Sequence, residues 1–418
     1  MIEDNFFIRK LKPFLQNKKR NYLILTQTFN ALIGLISGKL IAEFIIPEQF
    51  GLYNLQFALF SFFFSLFIGP SIQFLKSTYF GLVQKIGFKY YLITFSWLSI
   101  LMFFSVLFFF LVYKPEIYFN KYVILIIFFL IPLTAISNIL LDQFNVFDKI
   151  DKYSIQTILG SFVGLLFLIL FFYFFTGFSR NNIILWIMQL SSLAISVTFL
   201  IKNYKYIFKS SKIISYKLFL IKHFKFALPL MFLAIWSWLN SYFDRFVLEH
   251  FMTLSDVGIY NANYSLGSKF FLLLYPVFLV LMTPLVYSNN SIAYKKVIII
   301  KYSKYYFILG ILILILVFIF RNIIGAILLS NNYSKGFDLI FWISIAYLFI
   351  TASYLFEMIF YVAHKTKVIL LSNILCAIVS IVINVLLVQY IGLYGAVIAV
   401  ISSALIKYLF IFYKFQKL

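Results

Sequence analysis

The stretch Tyr90-Tyr91-Leu92-Ile93-Thr94-Phe95-Ser96-Trp97-Leu98-Ser99-Ile100-Leu101-Met102-Phe103-Phe104-Ser105-Val106-Leu107-Phe108-Phe109-Phe110-Leu111-Val112 runs for 23 residues without a charge, between Lys89 and Lys114. Coiled as a helix, at about 1.5 Å per residue, it is long enough to cross the roughly 30 Å of hydrocarbon in a bilayer. Eleven further apolar stretches lie at 22–45, 52–75, 122–141, 155–176, 183–201, 226–248, 258–286, 304–320, 337–361, 368–388 and 394–413. The pattern predicts an all-α, polytopic integral membrane protein of about twelve transmembrane helices. Composition agrees, because 63% of the 418 residues are apolar and only 11% charged. A soluble chain carries about 25% charged residues, so a soluble enzyme is excluded.

Lys and Arg number 35 against 13 Asp and Glu, a net charge of +22. On a soluble protein that excess would suggest nucleic acid, but here the basic residues sit between apolar spans, so no nucleic-acid partner is expected. With the N-terminus inside, and Lys304 counted with the cytoplasmic segment it borders, 26 of the 35 fall in cytoplasmic segments, five in outer loops and four within spans. By the positive-inside rule both termini are cytoplasmic. Residues 1–20 read as a basic cytoplasmic tail without a cleavage site. The connector 202–225, with Lys202, Lys205, Lys209, Lys212, Lys217, Lys222 and Lys225, reads as a cytoplasmic linker between an N-terminal six-helix bundle, 21–201, and a C-terminal one, 226–418. The single cysteine, Cys376, lies inside an apolar run and reads as a small buried hydrophobe.

The halves share a short internal repeat. Phe50-Gly51-Leu52-Tyr53-Asn54 follows the first span and Val257-Gly258-Ile259-Tyr260-Asn261 follows the seventh, 207 residues later, with Gly, Tyr and Asn coinciding. Both turns run outside to inside, which predicts parallel repeats forming two pseudo-symmetric bundles around a central cavity, an arrangement suited to alternating access.

Several pieces together resemble one family. Pro47-Glu48-Gln49-Phe50-Gly51-Leu52-Tyr53 is similar to the Pro-Glu-x-Phe-Gly-x-Tyr turn of polysaccharide repeat-unit flippases, the Wzx-type branch of the multidrug/oligosaccharidyl-lipid/polysaccharide (MOP) exporter superfamily. Ala227-Leu228-Pro229-Leu230, Asp244-Arg245 and Asp256-Val257-Gly258-Ile259-Tyr260 follow in order, and Asn384-Val385-Leu386-Leu387 precedes Gly392-Leu393-Tyr394-Gly395-Ala396-Val397-Ile398-Ala399 near the end. One departure is Val388-Gln389-Tyr390-Ile391-Gly392, where relatives often carry Ile-Pro-x-x-Gly. The resemblance implies a twelve-helix flippase in a bacterial inner membrane, moving an undecaprenyl-diphosphate-linked oligosaccharide to the outer leaflet for O-antigen, capsule or related polysaccharide. It implies a cavity lined by spans 1, 2, 7 and 8, and a polymerase and other assembly proteins as neighbours in the pathway.

A glycan and a diphosphate crossing hydrocarbon need a wet, cationic groove, and a charge at mid-membrane costs about 2.5–3.5 kcal/mol unless it faces a cavity or a partner. The intramembrane polar residues are therefore the candidates. Lys269, about eleven residues into the eighth span, reads as a cavity cation for diphosphate or sugar, as half of a structural ion pair, or as the mark of a misplaced span boundary. Asn263 and its neighbours Asn261, Tyr264 and Ser268 suit hydroxyl groups, while Pro276 and Pro284 kink the same helix. Arg245 suits bidentate phosphate contact; with Asp244 it also reads as an interfacial pair, and Asp244 as an ion-coupling carboxylate. Lys39 and Glu43 can pair at i,i+4. Lys39 also reads as a cavity residue, and Gln27 and Asn30 as sugar contacts or helix–helix glue. Gly34 with Gly38, and Gly160 with Gly164, predict close helix packing. Glu357 reads as an ion-coupling carboxylate or an interfacial residue beside Lys365 and Lys367, His364 as interfacial, and Lys407 as a snorkelling lysine.

Enzymes of glycan assembly need an acid, base or nucleophile in a formed site. His223, His250 and His364 are isolated, no metal-ligand spacing appears, and Asp142, Asp148 and Asp151 read as a helix cap interleaved with Lys149 and Lys152. No metal or cofactor is expected, and with no ATP-binding motif the energy would come from a proton or sodium gradient, the membrane potential, or consumption of product. The alternatives are a cation-coupled drug antiporter of the same superfamily, which should favour acidic intramembrane groups, and, more distantly, a membrane polymerase or transferase.

Overall fold

The computed structural model describes residues 18–78, 88–146, 149–174, 181–203, 216–288 and 291–418. Most of the expected tail and residues 204–215 of the expected linker lie outside the described residues. Among these residues there is no strand. Twelve long helices run as α1 Lys18–Phe44, α2 (Pro47–Phe63, a π turn Phe64–Ile68, and Gly69–Thr78), α3 Phe88–Val112, α4 Lys121–Val146, α5 Ile150–Phe174 and α6 Ile183–Asn203, then α7 Tyr216–Phe251, α8 Leu254–Val286, α9 Ile292–Leu328, α10 Phe337–Val362, α11 Thr366–Ile391 and α12 Leu393–Gln416. Ten are long and apolar enough to cross a membrane, so this is a multi-pass membrane protein. The other two occupy the first and sixth expected positions. α1 is diluted by Gln27, Asn30, Lys39 and Glu43, and the apolar part of α6 is only Ile183–Thr198.

Helix ends differ most from expectation in α7 and α9. α7 starts at Tyr216 rather than 226, and α9 runs from Ile292 to Leu328, taking in Lys295, Lys296, Lys301 and Lys304. Hydropathy marks where hydrocarbon stops, whereas backbone hydrogen bonding continues into water. Local chemistry explains the breaks. α8 opens on a capping box, Thr253 Oγ1 accepting from the Asp256 N–H and Asp256 Oδ2 from the Thr253 N–H. The α11–α12 turn, where the family proline is missing, is made by Gly392 at φ +57°, a left-handed backbone that glycine adopts at little cost.

The chain divides into two compact units. Of the described residues, the first comprises 18–44 and those within 59–231. In it α5 packs on α1 and α6, with Phe44 stacked on Phe172 at 4.4 Å. Gly160 and Gly164 meet Ser192, whose hydroxyl donates to the Gly160 carbonyl at 2.6 Å, the close packing expected of that pair. Gly34 and Gly38 do not pack this way. A β-carbon at either would meet nothing within 4 Å, so their spacing marks a smooth helix face rather than a contact.

The second unit comprises residues 45–58 and 232–418. α10 is its axis, packed on α8, α9 and α12. Ala346, Val400 and Ala404 let α10 and α12 approach closely, and Phe271, Tyr306, Phe356 and Phe360 fill the core toward the other end. Helix ends keep the register of the sequence repeat: α1 ends at Phe44 and α7 at Phe251, α2 begins at Pro47 and α8 at Leu254, each pair 207 residues apart.

Candidate functional site

The end of α7 and the start of α8 carry a buried polar network. Asp244 and Arg245 are 5% and 7% exposed. Removing two charges from water is costly unless every group finds a partner, and here the fold supplies them. Arg245 Nη1 lies 3.2 Å from Asp244 Oδ1 and also donates to the Ser241 carbonyl, while Nε donates to Asn261 Oδ1 at 2.5 Å. The guanidinium lies between the rings of Tyr242 and Tyr264, 4.8 and 5.3 Å from their centroids. The Tyr260 hydroxyl donates to Asp244 Oδ2 at 2.5 Å, and the Tyr264 and Tyr347 hydroxyls pair at 3.0 Å. The sequence exposes the Asp-Arg pair but not its tyrosines, because tyrosine is common here; the i,i+4 spacing of Tyr260 and Tyr264 was the available signal.

Lys269 is the opposite case. It lies on α8, two turns beyond Asn261, half-buried, with no ion-pair or hydrogen-bond partner among the described residues. Its stripe of α8 is the one the second unit leaves uncovered: Ser265, Leu272, Pro276 and Val277 are exposed, whereas Leu266, Phe271, Phe278 and Met282 on the other side are core. A long amphipathic side chain is placed there with its ammonium unclaimed. Asn263, by contrast, is fully buried, and its Nδ2 donates to the Ile259 and Tyr333 carbonyls at 2.8 and 3.2 Å, tying α8 to the short 3-10 turn Asn331–Gly336.

Glu357 and Lys407 form a second buried pair, with Lys407 Nζ 3.2 Å from Glu357 Oε1. Lys407 also donates to Asn373 Oδ1 at 2.9 Å and sits 4.6 Å from the Tyr354 ring centroid, and Asn240 Nδ2 donates to the Asn373 carbonyl at 3.0 Å. One expectation is thereby corrected: Lys407 does not snorkel but turns inward to Glu357, each 5% exposed. The register of α12 turns Lys407 toward α10, where a desolvated carboxylate is a nearer partner than the headgroups.

The α1 residues belong to the first unit. Lys39 Nζ and Glu43 Oε1 are 3.1 Å apart, at i,i+4. Gln27 is exposed, and Asn30 is half-buried with its Oδ1 unsatisfied. Asp142 pairs with Lys76 at 2.9 Å. Among the described residues no group of three His, Cys, Asp or Glu is placed to hold a metal ion.

Residues 17–284 match the model of a family described as polysaccharide biosynthesis protein. Among solved structures, the chain is similar to a lipid II flippase MurJ in an inward closed conformation, with a TM-score of 0.73, 15% identity, and coverage of 94% of this chain and 87% of that one. It is also similar to an inward-facing multidrug resistance MATE family transporter of the MOP superfamily, with a TM-score of 0.72, 11% identity, and coverage of 93% and 95%. No curated protein sequence matches the chain.

Proposed function

The chain belongs to the polysaccharide biosynthesis protein family and has the fold of MOP-superfamily exporters, and from that premise we propose that it is a flippase for undecaprenyl-diphosphate-linked oligosaccharide repeat units. It acts in a bacterial inner membrane, with both termini cytoplasmic, and carries the unit to the outer leaflet by alternating access between two six-helix halves. The product feeds O-antigen, capsule or a related glycan through a polymerase and other assembly proteins.

The observation that carries this reading is Lys269. An ammonium deep in a span, on a helix face its own unit does not cover, and without a protein partner among the described residues, is tolerated where water or an anion reaches it. A diphosphate supplies that anion. Arg245 is already engaged by Asp244, Asn261 and two tyrosines, so its part is to fix the α7–α8 turn and to add positive potential rather than to grip phosphate with both edges. On α1, Gln27, Asn30 and Lys39 carry amides and an ammonium suited to sugar hydroxyls, whereas the buried amide of Asn263 serves packing.

The fold is shared with a multidrug transporter, so the charges must discriminate. An antiporter of organic cations needs an available intramembrane carboxylate, and Asp244 and Glu357 each hold a basic partner. Any coupling to protons or sodium through either would first have to part that pair. The experiment is deletion of the gene with measurement of lipid-linked repeat units in each leaflet. Complete units should accumulate on the cytoplasmic leaflet while surface glycan disappears. If single units instead reach the outer leaflet and stay unpolymerised, the protein acts after flipping and this reading is wrong.

A further inference from the structure

The start of α9 is a corner without acids. Between Asp256 and Asp338 the sequence has no Asp or Glu, and after Glu357, which pairs with Lys407, there is none. The end of α12 lies against this corner: Lys296 Nζ donates to the Gln416 carbonyl at 3.1 Å and sits 5.5 Å from the Phe415 ring centroid. α12 adds Lys414 and Lys417 to the lysines of α9.

The first turn of α9 has donors to spare. Its N-cap is Ser291, whose hydroxyl accepts from the Tyr294 N–H at 3.3 Å and whose carbonyl accepts from the Lys295 N–H at 3.1 Å. The N–H groups of Ile292 and Ala293 have no acceptor among the described residues. The 37-residue helix also carries the positive end of its dipole here. Lys295 is 7% exposed, yet its ammonium has no ion-pair or hydrogen-bond partner among the described residues. A helical side chain leans toward its own N-terminus, so this ammonium is held at the positive end of the helix. Positive on positive is unfavourable unless an anion stands between them.

The next turns of α9 indicate which anion. Val297, Ile300 and Ile308 are exposed and apolar, with exposed Lys304 and Tyr305 among them. A soluble anion has no use for apolar surface beside its site, whereas a lipid uses both: its phosphate takes the N–H groups and the ammonium, and its chains cover the aliphatic face.

We propose that the first turn of α9, with Lys295, is a binding site for the phosphate headgroup of an anionic glycerophospholipid, whose acyl chains lie along Val297, Ile300 and Ile308. The site is on a different helix from Lys269 and does not depend on the cargo, so lipid retention can be read even from a protein that flips nothing.

The test uses the full chain purified in detergent with phosphatidylglycerol and phosphatidylcholine, with retained lipid counted and titrated by native mass spectrometry. One phosphatidylglycerol should be retained in preference to phosphatidylcholine. Lys295→Gln should weaken that retention about fivefold, and Lys295→Arg, which keeps the charge, should hold the lipid. Lys304→Gln removes the same charge from the exposed face of the same helix and should weaken retention less than about twofold, because an exposed charge is screened. Equal losses from Lys295→Gln and Lys304→Gln would mean a diffuse attraction of lysines for any anionic surface and would overturn the site. So would a parent protein with no preference between the two lipids. Undecaprenyl phosphate that displaces phosphatidylglycerol at equal concentration would assign the turn to the cargo lipid and overturn the phospholipid assignment.

Discussion

The hairpins α1–α2 and α7–α8 share their ends and their Gly-x-Tyr-Asn turn at one offset of 207 residues, yet they differ in charge. Counting back from Asp244, Arg245 and Lys269, the first copy has Ser37, Gly38 and Phe62. Asn54 uses its amide on its own helix, at the Phe50 carbonyl, whereas Asn261 accepts from Arg245. The turn is therefore scaffold, common to both halves, and the buried ionic network was laid on one copy, the other keeping the half-exposed Lys39–Glu43 pair. Within that copy the charges divide again, into pairs the fold satisfies and one lysine it does not.

The largest effect should come from splitting a satisfied pair. Arg245→Ala orphans a buried carboxylate and should cost about 3–5 kcal/mol, while Asp244→Asn with Arg245→Gln recovers much of it; thermal unfolding of the purified protein in detergent reads both. A loss in the double variant equal to the sum of the two single losses would mean that the two residues act separately. A smaller difference tests the repeat itself. Asn261→Ala leaves Arg245 Nε without its acceptor and should cost about 1–3 kcal/mol, more than Asn54→Ala, which removes a helix-internal bond of about 0.5–1.5 kcal/mol. If the two cost the same, the equivalent asparagines do equivalent work and the asymmetry is only apparent. The smallest effect belongs to α1, where Lys39→Gln breaks a half-exposed i,i+4 pair and should change stability by about 0.3–0.5 kcal/mol.

Much of this architecture was legible in the sequence, because hydropathy reports depth along the membrane normal. The long helices follow from it, and the turn at Pro47 and its echo at Leu254 from the Gly-x-Tyr-Asn repeat. What it does not report is which way a side chain faces around its helix. Lys407 looked like a snorkelling lysine and Glu357 like an ion-coupling or interfacial carboxylate until the α10–α12 register paired them. Gly34 and Gly38 had the spacing of a packing motif, yet a β-carbon at either would meet no described residue within 4 Å, while Gly51 and Gly258, singled out only as a repeat, make the tightest approach among the described glycines. The site was legible to the same extent: Lys269 and the Asp244–Arg245 pair stand out as charges in apolar runs, but that one is unclaimed and the other enclosed by tyrosines is a property of packing.

The most direct measurement follows from that difference. Lys269→Ala and Lys269→Arg should be expressed in cells lacking the native gene, with lipid-linked units assayed in each leaflet and protein abundance recorded. Because Lys269 has no partner to orphan among the described residues, the alanine variant should remain as abundant as the parent, yet leave the repeat units on the cytoplasmic leaflet, and arginine should restore flipping in part. Normal flipping by an abundant Lys269→Ala protein would show that the unclaimed ammonium does not meet the cargo, and the diphosphate would have to be held elsewhere.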